Sequence, residues 1–320
     1  MPPLTAGHTA LGPGREFDAV RALLARWGDL AEGVGDDAAV LDVPAGERLV
    51  VSTDSSVEDV HFRRVWLTAE EIGWRAATSA LSDLAAMAAR PLAAVVALTL
   101  PGPWRAELEA LGDGIGAAAR AAGAPIVGGD LTAGPALSVT LTVLGAAARP
   151  VSRAGARPGD ALYVTGRLGG PLRALRAFEA GEAPDPADRA RFAHPEARIA
   201  AARWLAERGA RALIDVSDGL AADLAHLAAA SGVRCVVDAE RVPAVRGATA
   251  SDALASGEEY ELACAAPPGL DAGACLRETG VALTAIGRVE VAPAGGPGVE
   301  LAARGGRRVD LPPGHDHLTR

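Results

Sequence analysis

The chain has 320 residues, of which 49% are hydrophobic, 22% charged and only 3% aromatic. This composition supports a globular core built from Ala, Val and Leu, and the length suggests two domains or one large one. Because 40 acidic residues stand against 31 basic ones, nucleic acid and anionic membranes are poor candidate partners.

Residue types that are absent exclude further function classes. All 31 basic residues are Arg, so neither a phosphate-loop lysine nor a Schiff-base lysine is available. Cys235, Cys264 and Cys275 form no CxxC pair, which argues against a zinc site or a disulfide framework. Neither a membrane span nor a signal peptide is recognisable, so we expect a cytoplasmic protein.

The hydrophobic pattern of the first half predicts alternating helices and strands. In chain order these are a helix over 15–27, strands over 38–43 and 48–53, an Ala-rich helix over 69–89 ended by Arg90 and Pro91, a strand over 92–100, a helix over 105–122 closed by Gly123, and a strand over 137–143.

The segment 148–160 is rich in Arg, Pro and Gly and marks a domain boundary, giving domains over 1–148 and 149–320. The second half restarts with a strand, a Gly-rich turn and a helix, followed by a loop over 179–189 and a helix ending near 208. Strands follow at 213–215, at 233–238 and near 281–289. Both domains therefore belong to the mixed α/β class.

Acidic residues recur at the predicted ends of strands. Taken singly, each has an ordinary explanation as a turn residue or a helix cap, and Ser217 or Asp218 suits the cap of the helix that follows. As a set they are harder to explain that way, because α/β proteins place ligands at strand ends. The acids concerned are Asp36, Asp37, Asp54, Asp130, Asp215 and Asp218, and the hydroxyl residues Ser52 and Thr53 precede Asp54.

Two acids are least easily explained as turns or caps: Asp83, inside the predicted Ala-rich helix, and Asp215. Both lie in apolar runs, where a carboxylate needs a partner or a metal. Many carboxylate and hydroxyl oxygens with few His or Cys suit a hard cation such as Mg²⁺, which also binds phosphates. We therefore predict several Mg²⁺ ions that hold a polyphosphate, with Arg153 available to pair with a phosphate.

The order and spacing of the motifs resemble the thiamine-monophosphate kinases, whose fold is shared with aminoimidazole ribonucleotide synthetase. The similarity runs from EFDAV at 16 to GHDHL at 314. The motifs between are GDDAAVL, STD, a His seven residues after that Asp, LSDLAAM, GGD, SRAGARPGD, IDVSDGL and GEEYEL. The resemblance implies ATP-dependent phosphorylation of thiamine monophosphate to thiamine diphosphate.

The resemblance also implies a homodimer in which the N-terminal domains form a β-barrel, and an ATP cleft completed by the C-terminal domain. Carried over by position, it assigns catalysis to Asp54, Asp130 and Asp215. It assigns Mg²⁺ to Asp37, Ser52, Thr53, Asp54, Asp83, Asp130, Asp215 and Asp218. It assigns ATP to Gly129, Asp130, Arg153 and Ser217, and the thiamine phosphate to His61, Glu258 and His315.

This sequence departs from the family pattern in three places. His315 replaces a usual aromatic residue, Ser256 replaces a Gly, and Glu259 replaces an Asp. Three alternatives stay open on the residues alone: another enzyme of the superfamily, a catalytically silent Mg²⁺ or nucleotide-binding module, and a structural α/β dimer whose acids are turns and caps.

Overall fold

A computed structural model of the chain describes residues 14–34, 38–303 and 307–309, the last three and 303 by their backbone only. The chain divides into two compact units. Unit 1 comprises Met1–Leu84 and Arg90–Arg149, and unit 2 comprises Ala85–Ala89 and Pro150–Arg320. In the described part of the chain, no helix is both long enough and apolar enough to cross a membrane.

Unit 1 combines helices with a four-stranded sheet. Its helices are α1 (Arg15–Trp27), α2 (Ala69–Ala86) and α3 (Leu108–Ala122), with 3₁₀ turns at Gly28–Leu30 and Gly102–Glu107. Its strands are β1 (Arg48–Val57), β2 (Arg90–Thr99), β3 (Ile126–Thr132) and β4 (Ser138–Ala147).

The order of this sheet among the described residues is β1-β4-β2-β3, which makes β1 an edge strand. β4 pairs antiparallel with β1 and β2, whereas β2 and β3 are parallel. Val139, Leu141 and Val143 are fully buried and alternate with half-buried Ser and Thr. The alternation predicted for 137–143 is confirmed, because one face of β4 packs into the core.

Three predictions for unit 1 were wrong in detail. Residues 38–43, all described, form no strand, and Val40 is 84% exposed, so this short apolar run has no core to bury it. The helix predicted over 69–89 ends at Ala86, since Ala88 adopts a positive φ and β2 begins at Arg90. Pro91 does not terminate a helix but lies beside an irregularity in the β2–β4 pairing.

The acids of unit 1 also lie differently from the prediction that they follow strand ends. Asp54 lies inside β1 and Asp130 inside β3. The pairing of β1 with β4 continues through Val57, because Ser and Thr side chains are compatible with a half-exposed strand. Of the predicted strand-end acids, Asp215 does close its strand.

Unit 2 is built around a seven-stranded sheet of order β11-β10-β7-β9-β5-β8-β6 within the described residues. The strands are β5 (Ala161–Thr165), β6 (Ala212–Asp215), β7 (Val233–Asp238), β8 (Leu262–Ala266), β9 (Leu283–Val291), β10 (Gly298–Ala303) and β11 (Arg307–Val309). The helices are α4 (Gly170–Glu179), α5 (Pro186–Ala193), α6 (Ile199–Glu207), α7 (Leu220–Ser231), α8 (Ala250–Ala255) and α9 (Ala272–Thr279).

Both faces of this sheet are covered by helices. Successive residues of β6 and β8 alternate between two buried clusters, one with Leu220 and Leu224 of α7 and the other with Trp204 of α6 and Cys275 of α9. Burial on both faces explains why β8 is a continuous apolar run. This three-layer packing fixes β6, and with it the position of Asp215.

Candidate active site

An oxygen-rich cluster joins β1 to α2 in unit 1. The Ser52 hydroxyl donates to Asp83 Oδ2 at 2.5 Å, and the Ser79 hydroxyl donates to Asp54 Oδ2. Ser52 and Asp54 are two apart on a strand, and Ser79 and Asp83 are four apart on a helix, so each pair shares a face. We call Ser52, Asp54, Ser79 and Asp83 the oxygen cluster.

The donor chemistry of the oxygen cluster fits a hard cation, because carboxylate and hydroxyl oxygens are the ligands that Mg²⁺ prefers. Within residues 14–34, 38–303 and 307–309, no three His, Cys, Asp or Glu side chains form a group able to hold a metal ion. Asp37, a predicted ligand, lies outside the described residues. The Mg²⁺ site therefore stays a prediction that the oxygen chemistry supports.

Thr53 and Asp130 are not part of this cluster. Thr53 points to the other face of β1, where its hydroxyl lies 3.1 Å from Thr142 Oγ1. Asp130 is exposed on β3, opposite Ala97 of β2 and separated from β1 by two strands. In unit 1, Ser52 therefore contacts Asp83 and Ser79 contacts Asp54, whereas Thr53 and Asp130 belong to neither pair.

Gly129 has a packing reason to be glycine. A Cβ atom at this position would lie 2.0 Å from the carbonyl oxygen of Val96 in the neighbouring strand. The close approach of β2 and β3 thus requires a residue without a side chain. Its predicted contact with nucleotide stays a prediction.

His61 lies in a tight turn after β1. The backbone N–H of Val57 donates to His61 Nδ1 at 3.1 Å, so this ring nitrogen acts as a hydrogen-bond acceptor. Glu58 fixes the same turn, because its carboxylate accepts from Trp104 Nε1 at 2.9 Å and from the Leu137 N–H at 3.3 Å. The turn therefore holds the His61 ring in one orientation.

In unit 2, the segment Asp215–Gly219 connects β6 to α7. Asp215 is buried, whereas Ser217 and Asp218 are half-buried. The helix is capped by Gly219, at φ 112°, and no side chain makes the capping hydrogen bond. The interpretation of Ser217 or Asp218 as the helix cap was therefore wrong, because the chain turns into the helix at a glycine after them.

Asp223, inside α7, bonds to the loop that precedes the helix. Its Oδ2 accepts from the backbone N–H groups of Ser217 at 3.1 Å and Asp218 at 3.2 Å. Burial, and then the neighbouring carboxylates of Asp215 and Asp218, raise the pKa of Asp223 to about 8. Three acids thus lie close together at the N-terminus of one helix.

The GEEYEL segment runs directly beside this connection. The Glu258 N–H donates to the Ser217 carbonyl at 2.8 Å, and the Val216 N–H donates to the Glu261 carbonyl at 2.7 Å. Glu258 and Tyr260 both adopt positive φ, at 53° and 51°. Such strain in non-glycine residues persists only where the surroundings enforce it. Unit 2 thus brings Glu258 beside Ser217.

Two buried acids enforce this conformation. Glu261 is fully buried and bonded to Arg198, and the Thr165 hydroxyl donates to it at 2.6 Å. Glu259 accepts from the Gly169 N–H at 2.5 Å and from Arg191 at 3.2 Å. Burial raises the pKa of Glu259 to about 7, although hydrogen bonds from Ser256 and the charge of Arg191 lower it.

The two unusual residues of this segment, Ser256 and Glu259, influence each other, since Ser256 lowers the pKa of Glu259. Arg153 is exposed in the segment before β5, and its carbonyl accepts from the Ser231 hydroxyl at 2.8 Å. His315 lies outside the described residues.

Comparisons with family models and with curated relatives point to the same family. Two family models match, the AIR synthase related protein N-terminal domain at residues 35–147 and the C-terminal domain at 157–300. A thiamine-monophosphate kinase of Salmonella typhimurium is 36% identical over 296 residues, covering 86% of this chain and 88% of the relative.

The chain belongs to the thiamine-monophosphate kinase family. The resemblance inferred from the motifs is thereby confirmed.

Solved structures of the family share the fold. The thiamine-monophosphate kinase of Stenotrophomonas maltophilia has a TM-score of 0.79 at 35% identity, covering 95% of this chain and all (100%) of that one. AaThiL complexed with AMPPCP and TMP has a TM-score of 0.74 at 29% identity, covering 93% of this chain and 96% of that one. The mixed α/β class with two sheets is therefore confirmed.

Two residues of the candidate site were missed from the sequence. Ser79 carries no signal of its own, since its contact with Asp54 depends on the packing of α2 against β1. Asp223 did carry one, because it is an acid within the Ala- and Leu-rich stretch LAADLAHLAAA. The same signal drew attention to Asp83, and applying it to α7 would have found Asp223.

Proposed function

We propose that this chain transfers the γ-phosphoryl group of ATP to thiamine monophosphate, forming thiamine diphosphate and ADP. The observation that carries the proposal is the similarity, over 93% of this chain, to AaThiL complexed with AMPPCP and TMP, an ATP analogue and thiamine monophosphate. It is supported by the oxygen cluster of unit 1 and by the joined DVSDG and GEEYEL segments of unit 2.

The proposed binding roles are divided between the two predicted domains, 1–148 and 149–320. We assign metal and nucleotide binding and dimerisation to the first, and the remainder of the ATP-binding residues to the second. The proposed Mg²⁺ ligands are Asp37, Ser52, Thr53, Asp54, Asp83, Asp130, Asp215 and Asp218. When bound, Mg²⁺ supplies positive charge that offsets the negative charge of the phosphates.

The nucleophile in this proposal is a phosphate oxygen of thiamine monophosphate. It is already anionic at neutral pH, so a strong general base is unnecessary. The oxygen forms a bond to the γ-phosphorus as the bond from that phosphorus to ADP breaks, without a phosphoenzyme. Catalysis then depends on alignment and charge stabilisation.

The remaining contacts follow from the same assignment. Gly129, Arg153 and Ser217 contact the nucleotide, and the exposed guanidinium of Arg153 suits a phosphate. His61, Glu258 and His315 contact the thiamine phosphate, where the other ring nitrogen of His61, Nε2, is suited to a hydrogen bond with a phosphate oxygen.

We further propose a homodimer in which two copies of the unit 1 sheet form a barrel. The support is an apolar stretch on the edge strand β1, where Leu49 is 47% exposed and Val51 is 55% exposed. An exposed apolar edge strand favours pairing with another chain. Sedimentation of the purified protein tests this, and a monomer at micromolar concentration contradicts it.

The decisive experiment incubates the protein with Mg-ATP and thiamine monophosphate and separates the products by chromatography. We expect thiamine diphosphate and ADP in equal amounts, abolished by a chelator, with no product from free thiamine. Phosphorylation of free thiamine but not of its phosphate overturns the proposal. Binding of Mg-ATP without turnover identifies instead a catalytically silent module.

Substitutions of the proposed catalytic acids test the site. Asp54→Asn, Asp130→Asn and Asp215→Asn should each lower turnover by roughly 100-fold or more at saturating Mg²⁺, since each removes a charge beside the reacting phosphates. Near-normal turnover in Asp215→Asn removes that residue from the assignment.

A further inference from the structure

We propose that Asp223 is a positioning residue, which holds the backbone of Ser217 and Asp218 in the conformation that binds Mg-nucleotide. The inference rests on the proposed function for the identity of the nucleotide substrate. Asp223 itself contacts neither substrate in this assignment and acts through the two residues it holds.

The contacts of Asp223 connect a helix to the loop before it. The side chain is 2% exposed, and its Oδ2 accepts hydrogen bonds from the N–H groups of Ser217 and Asp218. Its own N–H donates to the Gly219 carbonyl at 2.9 Å, within the first turn of α7. The helix therefore anchors the carboxylate, and the carboxylate anchors the loop.

The contacts of Asp223 are distinct from a helix cap. The N–H groups that open a helix have no partners within it and are usually satisfied by the side chain at the N-cap. Gly219, at the N-cap, has no side chain to offer, and Asp223 bonds instead to two N–H groups upstream of the cap. The side chains of Ser217 and Asp218 make no capping hydrogen bond to this helix.

The electrostatic setting argues against a purely stabilising role. Asp223 is buried close enough to Asp215 and Asp218 for their negative charges to act on it. A buried acid beside two others costs folding free energy, and an apolar residue would fill the same space in α7 without that cost. The presence of an acid at this position is explained by its role in fixing the conformation of the loop.

On its other side the loop is held by backbone hydrogen bonds to the GEEYEL segment. The Ser217 carbonyl accepts from the Glu258 N–H at 2.8 Å, so Ser217 is fixed from both directions. Loss of the Asp223 acceptor should release one of these two restraints. The loop should then sample conformations in which Ser217 and Asp218 are misplaced for nucleotide.

The test compares Asp223→Asn with Asp223→Leu. Asn keeps a carbonyl oxygen that can accept from both N–H groups, whereas Leu has similar size and no acceptor. We expect Asn to stay close to the parent protein. We expect Leu to raise the KM for Mg-ATP and the Mg²⁺ concentration for half-maximal rate by about 10- to 100-fold, as loss of a supporting contact typically does. The KM for thiamine monophosphate should be unchanged.

A matched control is Asp188→Leu, which also replaces a buried acid of unit 2, one that pairs with Arg173 at 2.7 Å. It should lower the urea midpoint but leave the KM for Mg-ATP unchanged. If Asp223→Leu does not fold, Asp223→Ala carries the same expectation, because it removes the acceptor without adding apolar volume. An unchanged KM for Mg-ATP and unchanged Mg²⁺ dependence in Leu or Ala overturns the inference.

Calorimetric titration with Mg-AMPPNP separates this inference from the proposed function. A parent protein that binds the nucleotide but does not phosphorylate thiamine monophosphate overturns the proposed function. The inference then still predicts about 10- to 100-fold weaker nucleotide binding in Asp223→Leu and near-parent binding in Asp223→Asn. Equal affinity in all three proteins overturns the inference.

Discussion

Arg198 holds the buried carboxylate of Glu261 with two hydrogen bonds, from Nε to Oε2 at 2.9 Å and from Nη2 to Oε1 at 2.7 Å. Glu261 directly follows the strained residues Glu258 and Tyr260 in the chain. A paired, hydrogen-bonded arrangement of this kind is what permits a charge in a protein interior. It ties the conformation of the GEEYEL segment to the folding of unit 2.

Arg198→Met should lower the free energy of unfolding by about 3 kcal/mol, because it leaves the Glu261 charge buried with weaker partners. The measurement is urea denaturation followed by circular dichroism. Arg176→Met is a matched control, since Arg176 also pairs with an acid, Asp252, but is 57% exposed. The control should cost less than about 1 kcal/mol. Equal losses contradict a special role for the buried pair.

Gly166→Ala should lower the free energy of unfolding by more than the left-handed backbone conformation at this position accounts for. Gly166 has φ 63°, and an added Cβ would lie 2.0 Å from Glu261 Oε1, so the methyl group displaces the carboxylate held by Arg198. Gly181 has φ 73° with nothing within 4 Å of an added Cβ. Gly181→Ala should therefore cost only the left-handed backbone penalty of about 1 kcal/mol.

The glycine pair is compared by urea denaturation of both variants. The prediction is that Gly166→Ala loses at least about 2 kcal/mol more than Gly181→Ala, in line with disruption of a buried ion pair. Similar losses would show that Glu261 moves aside without cost.

Glu259 should make stability depend on pH. Burial raises its pKa from 4.5 to about 7, so between these values the folded state keeps a proton that the unfolded chain has released. The folded state therefore loses stability as pH rises through this window, and the loss levels off above pH 7. In Glu259→Gln, unfolding free energies measured at about pH 5, 6 and 7 should fall less steeply than in the parent. Parallel profiles contradict the prediction.

Ser79→Ala should raise the Mg²⁺ concentration required for half-maximal phosphorylation, because the oxygen cluster is proposed as a metal site. Ser79 donates to Asp54 and so orients a proposed ligand, and loss of such a contact typically costs about 10- to 100-fold in metal affinity or activity. The measurement is the Mg²⁺ concentration for half-maximal phosphorylation of thiamine monophosphate.

The matched control is Ser55→Ala on the opposite face of β1, where the hydroxyl lies 2.7 Å from Thr140 Oγ1. That variant should keep the Mg²⁺ dependence of the parent. A Ser79→Ala variant indistinguishable from Ser55→Ala would place the metal away from Asp54.

Much of the local structure was predictable because it depends on short-range pattern. Val139, Leu141 and Val143 alternate with hydroxyl residues, and a period of two specifies a half-buried strand wherever one face meets a core. Gly123 closes α3 in the left-handed conformation, as a glycine after an Ala-rich helix predicts. The family could be recognised in the same way, since the order of its short motifs is a property of the sequence.

The failures arose where a partner distant in the sequence decides the outcome. The apolar run 38–43 forms no strand, although its residues favour one. The acids Asp54 and Asp130 lie inside strands, since pairing with β4 and β2 extends those strands past the Ser, Thr and Gly residues that suggested their ends. Propensity is a weak guide when pairing supplies most of the hydrogen bonds.

Candidate residue types for phosphate and cation could be named from the sequence: an acidic, lysine-free chain with Asp and Ser at recurring motifs. How these residues divide depends on the tertiary fold. It joined Ser52 to Asp83 across strand and helix, set Thr53 on the other face of β1, and gave the support of the DVSDG loop to Asp223 rather than to a capping side chain. The reason is physical, since the faces of strands and helices are assigned by packing, and packing depends on the whole chain.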